Sequence, residues 1–207
     1  PESDSQAEII TTSLSELAAS ADLVAIAQVR DTDYVYTRSF PSEGVAILNI
    51  LIEYKANRAD EDFIEVYEKG LHPGECYFED PAFNAEGRRY LVFLRIDKED
   101  PEYYRGMIAG CALEIFVNED SRYALKYPLE GIALTNKLED ISENFNFRDE
   151  HALVSEDEMS PAQRDSLLAG GMILPYKDQF KYQKGIDLTV VRSLIGAEAL
   201  KSKPGWK

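Results

Sequence analysis

The hydrophobic pattern peaks in the run Arg89-Tyr90-Leu91-Val92-Phe93-Leu94-Arg95-Ile96, where five consecutive large apolar residues leave neither side of a strand for water. Tyr90, Val92 and Leu94 point one way and Leu91 and Phe93 the other. Both faces therefore need cover, one from a barrel interior and the other from something packed outside. Each such side chain contributes about 1.5 to 3 kcal/mol when fully buried, so the rest of the chain is organised around this central strand.

Upstream, Ser13-Leu14-Ser15-Glu16 has the form of a capping box, which predicts a short helix through about Ser20 with Leu14, Leu17 and Ala18 on one face. A first strand follows at Leu23 to Val29, then a polar, aromatic stretch from Asp31 to Glu43. Val45 to Tyr54 is apolar on both faces until Glu53 and reads as another central strand, and Phe63 to Glu68 alternates as a third. A long loop rich in Gly, Pro and acid, Lys69 to Arg88, leads into the central run. Tyr103 to Val117 reads as a strand interrupted by Gly106 and Gly110, sites of a bulge or sharp coil. A hairpin then leads to Arg122 to Tyr127, stopped by Pro128.

Beyond Gly131 the pattern changes. From Glu139 to Glu158 eight acids accompany one base, Arg148, which predicts an exposed, loosely ordered connection. Ser160-Pro161 opens a helix that Gly170-Gly171 ends. Asp187 caps a last helix through about Leu200, with Leu188, Val191, Leu194 and Ile195 spaced to dock on a core. Lys201 to Lys207 is a basic tail. The expected organisation is a flexible segment 1–12, a barrel domain with its leading helix at 13–130, and an acidic connection with a helical extension packed on the barrel at 131–207.

The charge balance narrows the partners. There are 22 Lys and Arg against 38 Asp and Glu, a net charge of −16, and no local basic patch, which disfavours nucleic acid and anionic lipid surfaces. No apolar run approaches eighteen residues, so no transmembrane helix is expected. The polar opening Pro1-Glu2-Ser3-Asp4-Ser5-Gln6, without a Met, reads as a disordered end of an exported protein or as a cut boundary, and a lipid anchor upstream of Pro1 is compatible with it. Cys76, in a Gly/Pro loop, and Cys111, on a predicted strand, read as a disulfide or as two buried thiols. An export context favours the bridge.

A helix ending Ser20-Ala21-Asp22, the strand to Val29, a second strand running into Tyr54-Lys55, and Gly87-Arg88-Arg89-Tyr90-Leu91-Val92-Phe93-Leu94 together resemble bacterial exported proteins with a netrin-like, or tissue-inhibitor-of-metalloproteinase-like, OB-fold domain. The segment Asp187 to Ile195 resembles the closing helix of such proteins. The likeness covers about Ser13 to Tyr127 plus that helix, on motifs that are mostly burial patterns. It implies a mainly β chain with an OB-like closed barrel of five to six strands, an N-terminal helix and C-terminal helices. In two places the sequence departs from the family. Lys55 is followed by Ala56 instead of Gly, with a longer acidic turn. The animal inhibitors chelate the protease zinc through a cysteine at the mature N-terminus, and this chain has Pro1, so metalloproteinase inhibition does not carry over.

Chemistry is sparse. A cysteine nucleophile needs a nearby base, and His72 with Cys76 is the available pairing, though no third, orienting group is visible in that loop. The two histidines and two cysteines lack paired zinc-ligand spacing, and the acidic clusters around Asp31, Asp60, Asp97 and Glu156 lack the spacing and glycine of an EF-hand loop. Solvated turns account for them, and no metal or cofactor is expected. The candidate binding residues are Tyr34, Tyr36, Arg38 and Phe40 in the first connecting loop and Tyr103, Tyr104 and Arg105 in the fourth, the loops that border the ligand face of an OB barrel. They read as a recognition patch for a protein or glycan, or as strand residues that bury one face. The expected function is therefore a non-catalytic, exported binding module, an inhibitor-like one included. Its alternatives are a cysteine-dependent hydrolase using His72 and Cys76 and a structural component of the cell envelope.

Overall fold

The computed structural model describes residues 10–58, 61–72, 74–81, 86–196 and the backbone of 201–202. The opening Pro1 to Gln6, the final turn expected for the last helix at Ala197 to Leu200 and the tail from Lys203 lie outside the described residues.

Five strands close into a mixed barrel: β1 (Leu23–Thr37), β2 (Phe40–Ala56), β3 (Phe63–Lys69), β4 (Arg89–Ile96) and β5 (Tyr104–Gly106). Around the wall the order is β1, β2, β3, β5, β4 and back to β1, with every pairing antiparallel except β3 with β5. The faces of β4 divide as the alternation requires. Val92 and Leu94 join Ala25, Leu48, Ile64 and Tyr104 inside the barrel. Leu91 and Phe93, each fully buried, join the cover outside.

That cover is helical. α1 (Leu14–Ser20) starts at the expected capping box, with Ser13 Oγ accepting from the Glu16 N–H at 3.2 Å and Glu16 Oε2 accepting from the Ser13 N–H at 3.0 Å. Its Leu14, Leu17 and Ala18 pack with Leu188, Val191 and Ile195 of the C-terminal helix over Leu91, Phe93, Val24 and Ile26. This second core cluster lies on the outer face of the wall.

β4 also continues sideways into β6 (Ala112–Val117) and β7 (Tyr123–Tyr127). Downstream, α2 (Pro161–Ala169) precedes a hairpin of β8 (Ile173–Tyr176) and β9 (Gln179–Tyr182), which pairs with Leu153–Val154. β10 (Lys184–Asp187) then returns to pair with β7, and Asp187 caps α3 (Leu188–Ile195), which stops at Gly196 in the left-handed conformation.

Two expectations need correction. The strand expected at Leu23 to Val29 runs on to Thr37, because the polar stretch after it pairs with Phe40 to Ile47 as an extended ribbon. The segment Glu139 to Glu158 is not a loose connection. Seven of its eight acids face water, but Asp149 is buried against Arg89, and Phe145, Phe147, Ala152, Val154 and Met159 are buried with Phe116 and Tyr182 in a third core cluster. Apolar residues spaced irregularly among acids gave no period to read, yet each ring has a partner, Phe147 standing edge-on to Phe116 at 5.3 Å.

Candidate functional site

β3 pairs with β2 only from Glu43 to Asn49, so the far ends of β1 and β2 project past the wall as a two-stranded ribbon. Arg38 takes a left-handed φ of 56° in its turn. Where the ribbon leaves the wall, Gly44 lies opposite Tyr34 with a φ of 140°, and a Cβ there would meet the Asp33 carbonyl at 2.0 Å. Only glycine fits that position.

The ribbon is braced from below by the loop at 70–81. Tyr34 Oη accepts from the Phe78 N–H at 3.1 Å, and its ring stands edge-on to Tyr77 at 5.2 Å. Burial pushes the Tyr34 hydroxyl well above the ordinary tyrosine range. Tyr36 Oη donates to Asp80 Oδ2 at 2.9 Å, a bond that also holds its hydroxyl protonated to higher pH. Ser42 Oγ donates to the Val35 carbonyl at 3.0 Å. With the backbone so held, Val35, Tyr36 and Phe40 remain 63%, 51% and 64% exposed, large apolar surface on a fixed support.

The bracing loop is itself fastened twice. Cys76 is bonded to Cys111, the Cα atoms 6.1 Å apart, and the bridge lies across Gly106 of β5. A Cβ on Gly106 would come within 2.7 Å of the Cys76 Cβ and 2.8 Å of the Cys111 Cβ, so this glycine makes room for the bridge instead of forming a bulge. Beside it, Glu68 is buried in β3 and accepts from the Cys76 N–H at 2.9 Å, the Lys69 N–H at 2.9 Å and Arg105 Nη2 at 2.9 Å, and its Oε1 also lies 2.9 Å from His72 Nε2. Burial alone would raise the Glu68 carboxyl, and these donors bring it below the usual carboxylate range. With its sulfur in the bridge, Cys76 offers no thiolate, and His72 faces a carboxylate instead of a nucleophile.

The seven residues singled out in the sequence separate into three settings. Tyr34, Tyr36, Arg38 and Phe40 share the ribbon, with Tyr34 turned down onto its brace. Tyr103 and Arg105 gather on Tyr67, ring centroids of the two tyrosines 5.8 Å apart and the guanidinium 5.4 Å above the Tyr67 ring, while Arg105 also reaches Asp97 at 3.3 Å. Tyr104 points into the barrel at 1% exposure, donating to Glu61 Oε2 at 3.3 Å under the Arg58 guanidinium. Among the described residues no hydrogen bond, ion pair or ring contact joins the ribbon set to Tyr103, Tyr104 or Arg105. Between them stand Gly44 and Glu68, neighbours in register, and the Tyr77 ring.

Sequence reasoning passed over Val35, Asp80 and Glu68. Val35 sits between two tyrosines, and a strand that exposes its apolar member looks like one that buries it. Glu68 shares the inward phase of Ile64 and Val66, and nothing local shows that Arg105 and His72 close over it.

No protein-family model, no curated protein and no solved structure matches this chain.

Proposed function

We propose that the chain is a non-catalytic interaction module of the netrin-like, OB-like kind, exported from the cell, which engages a protein partner through the ribbon tip at Val35, Tyr36, Arg38 and Phe40. The wall order β1-β2-β3-β5-β4 with its parallel closure supports the OB-like reading. A disulfide under the ribbon is compatible with an oxidising compartment. The observation that carries the reading is the exposure of Val35, Tyr36 and Phe40 on a ribbon whose backbone is already fixed by Asp80, Phe78 and Ser42. Large apolar side chains that lose little freedom on docking are the usual anchors of protein interfaces. A glycan would stack on Tyr36 but would leave the aliphatic Val35 unused.

The test is site-specific photo-cross-linking with a benzophenone amino acid at position 40, in extracts of the native envelope. A control carries it at position 63, another exposed phenylalanine at the start of β3. A discrete protein adduct from position 40 alone is expected, competed away by unlabelled protein. Equal adducts from both positions, or none from position 40, defeat the reading.

A further inference from the structure

The face of β6 and β7 that turns away from α1 and α3 is covered at one end only. There Phe145 and Phe147 pack on Phe116 and Ala124. At the other end, where Ala112, Glu114 and Lys126 point outward, the sheet is the floor of an open cleft. One wall is the disulfide-bearing loop at Gly74 to Tyr77 with Tyr90, and the other is the C-terminal module at Val154, Met159 and Tyr182. The cleft has two chambers of about 280 Å³ and 390 Å³, both lined by Glu114, Lys126 and Glu130 and so continuous. The first is walled largely by Tyr90, Ala112, Leu113, Pro128 and Leu129, and the second is polar.

The charges decide what fits. Lys126, 5% exposed, lies 2.8 Å from Glu114 and 3.3 Å from Glu130, over the Tyr182 ring at 4.4 Å. Arg88 is held by Glu114 and Glu79. Both cations are thus engaged by the cleft's own carboxylates, with Glu114 serving the two together. Five carboxylates line the chambers beside these two cations, a net of three negative charges: Glu79, Glu114 and Glu130 hold Arg88 and Lys126, while Glu75 and Glu158 accept from backbone N–H groups of their own loops, and all but Glu114 are exposed at the rim. An anionic ligand would have to displace ion pairs already made. Among the described residues no three His, Cys, Asp or Glu side chains are grouped to hold a metal ion.

We propose that this cleft receives a basic, partly apolar segment of a partner polypeptide. An arginine or lysine side chain lies among Glu79, Glu130 and Glu158, and a neighbouring apolar side chain rests on Tyr90, Ala112 and Leu129. The combination uses both chambers. A polyamine would leave the apolar chamber empty, and an aliphatic ligand would leave the cleft's net charge of three uncompensated. The site is separate from the ribbon tip and stands or falls without it.

Fluorescence anisotropy with a labelled, end-capped Arg-Leu-Arg-Leu peptide tests this, at salt low enough that the Debye length exceeds about 10 Å and again at physiological salt. The full chain binds the basic peptide, more weakly in salt, and does not bind the Glu-Leu-Glu-Leu counterpart. Glu130→Gln with Glu158→Gln lowers affinity about tenfold, and Leu129→Ser lowers it without altering the salt dependence. Glu99→Gln with Glu102→Gln, which removes the same charge from the β4–β5 loop, leaves affinity unchanged. Near-UV circular dichroism verifies the fold, and Glu130→Lys alone serves if the double variant is disturbed. Equal losses in the two double variants reduce the effect to diffuse attraction by an acidic surface and overturn the site, as does a wild-type chain that ignores the peptide at low salt.

Discussion

Arg105 of β5 reaches Glu68 of β3 at 2.9 Å, across the one seam of the barrel that is held by a single parallel register, Val66 opposite Tyr104. A three-residue strand offers few backbone bonds for closing a wall. Side chains reinforce it. Glu68 then passes the constraint on to His72 and the Cys76 N–H, so the loop that braces the ribbon is anchored at the seam itself.

Replacing Glu68 with Gln is expected to destabilise the fold by about 2 to 4 kcal/mol at pH 7, since a buried acceptor of several donors loses its charge opposite Arg105. Urea unfolding of both proteins measures it. Because the folded carboxyl titrates below its unfolded value of about 4.3, its contribution is fully present above that value and is lost as pH falls through the lower folded one. The gap between wild type and variant is therefore expected to narrow as pH falls below about 4.

The disulfide should contribute about 4 kcal/mol by loop-closure entropy, given a sequence separation of 35. Cys76→Ala with Cys111→Ala, compared with wild type by denaturant unfolding, is expected to show a loss of that order. The same variant should make the 70–81 loop and the ribbon above it more susceptible to limited proteolysis while α1 and α3 stay protected.

Gly106→Ala is expected to cost more than an alanine in an ordinary strand position would, because its Cβ must push apart the Cβ atoms of Cys76 and Cys111, 2.7 and 2.8 Å away. A drop of about 1 to 3 kcal/mol in unfolding free energy is the expected reading. Gly70→Ala is a poor comparator because of its φ of 82°, so Ser20→Ala on the exposed end of α1 serves as the neutral reference.

Phe93→Ala and Leu94→Ala probe the two sides of one strand. Both are fully buried, the first under the helices and the second in the barrel, and losses of about 3 to 5 and 2 to 5 kcal/mol are expected. Hydrogen exchange separates them, with protection lost chiefly in α1 and α3 for Phe93→Ala and across β1 to β3 for Leu94→Ala.

Phe40→Ser, at a side chain 64% exposed, should leave stability within about 0.5 kcal/mol of wild type. In the same protein, a benzophenone placed at position 36 is expected to lose its protein adduct. Thermal unfolding and the cross-linking yield together distinguish loss of contact from loss of fold.

The strand Arg89 to Ile96 announced both its faces because five large residues in a row admit no other reading, and the helical cover on Leu91 and Phe93 follows from the same fact. The ends of elements were harder to place. Tyr104 carries the same composition cue as Tyr103, and only the phase of a three-residue strand decides which of them enters the barrel. Phe145 and Phe147 were hidden by the acids around them. The β8–β9 hairpin escaped notice because Leu174, Pro175 and Tyr176 are largely exposed and Pro175 stands on an edge strand, where a proline is tolerated but argues locally against strand. Of the candidate site, the aromatic content of the ribbon was legible. Its brace was not, since Asp80 and Phe78 meet Tyr36 and Tyr34 from 44 residues away.

A single edge of β4 serves two neighbours in succession, Arg89 to Val92 bonding to β6 and Leu94 to Ile96 to β5. The fork fixes the register, for a slip of one residue would turn Leu91 and Phe93 into the lumen and Val92 and Leu94 out beneath the helices. The ribbon and the acidic cleft are consequently carried on one stiff frame at a fixed separation. A partner long enough to touch both would meet them at a set spacing, with no freedom of the frame to be lost on the second contact.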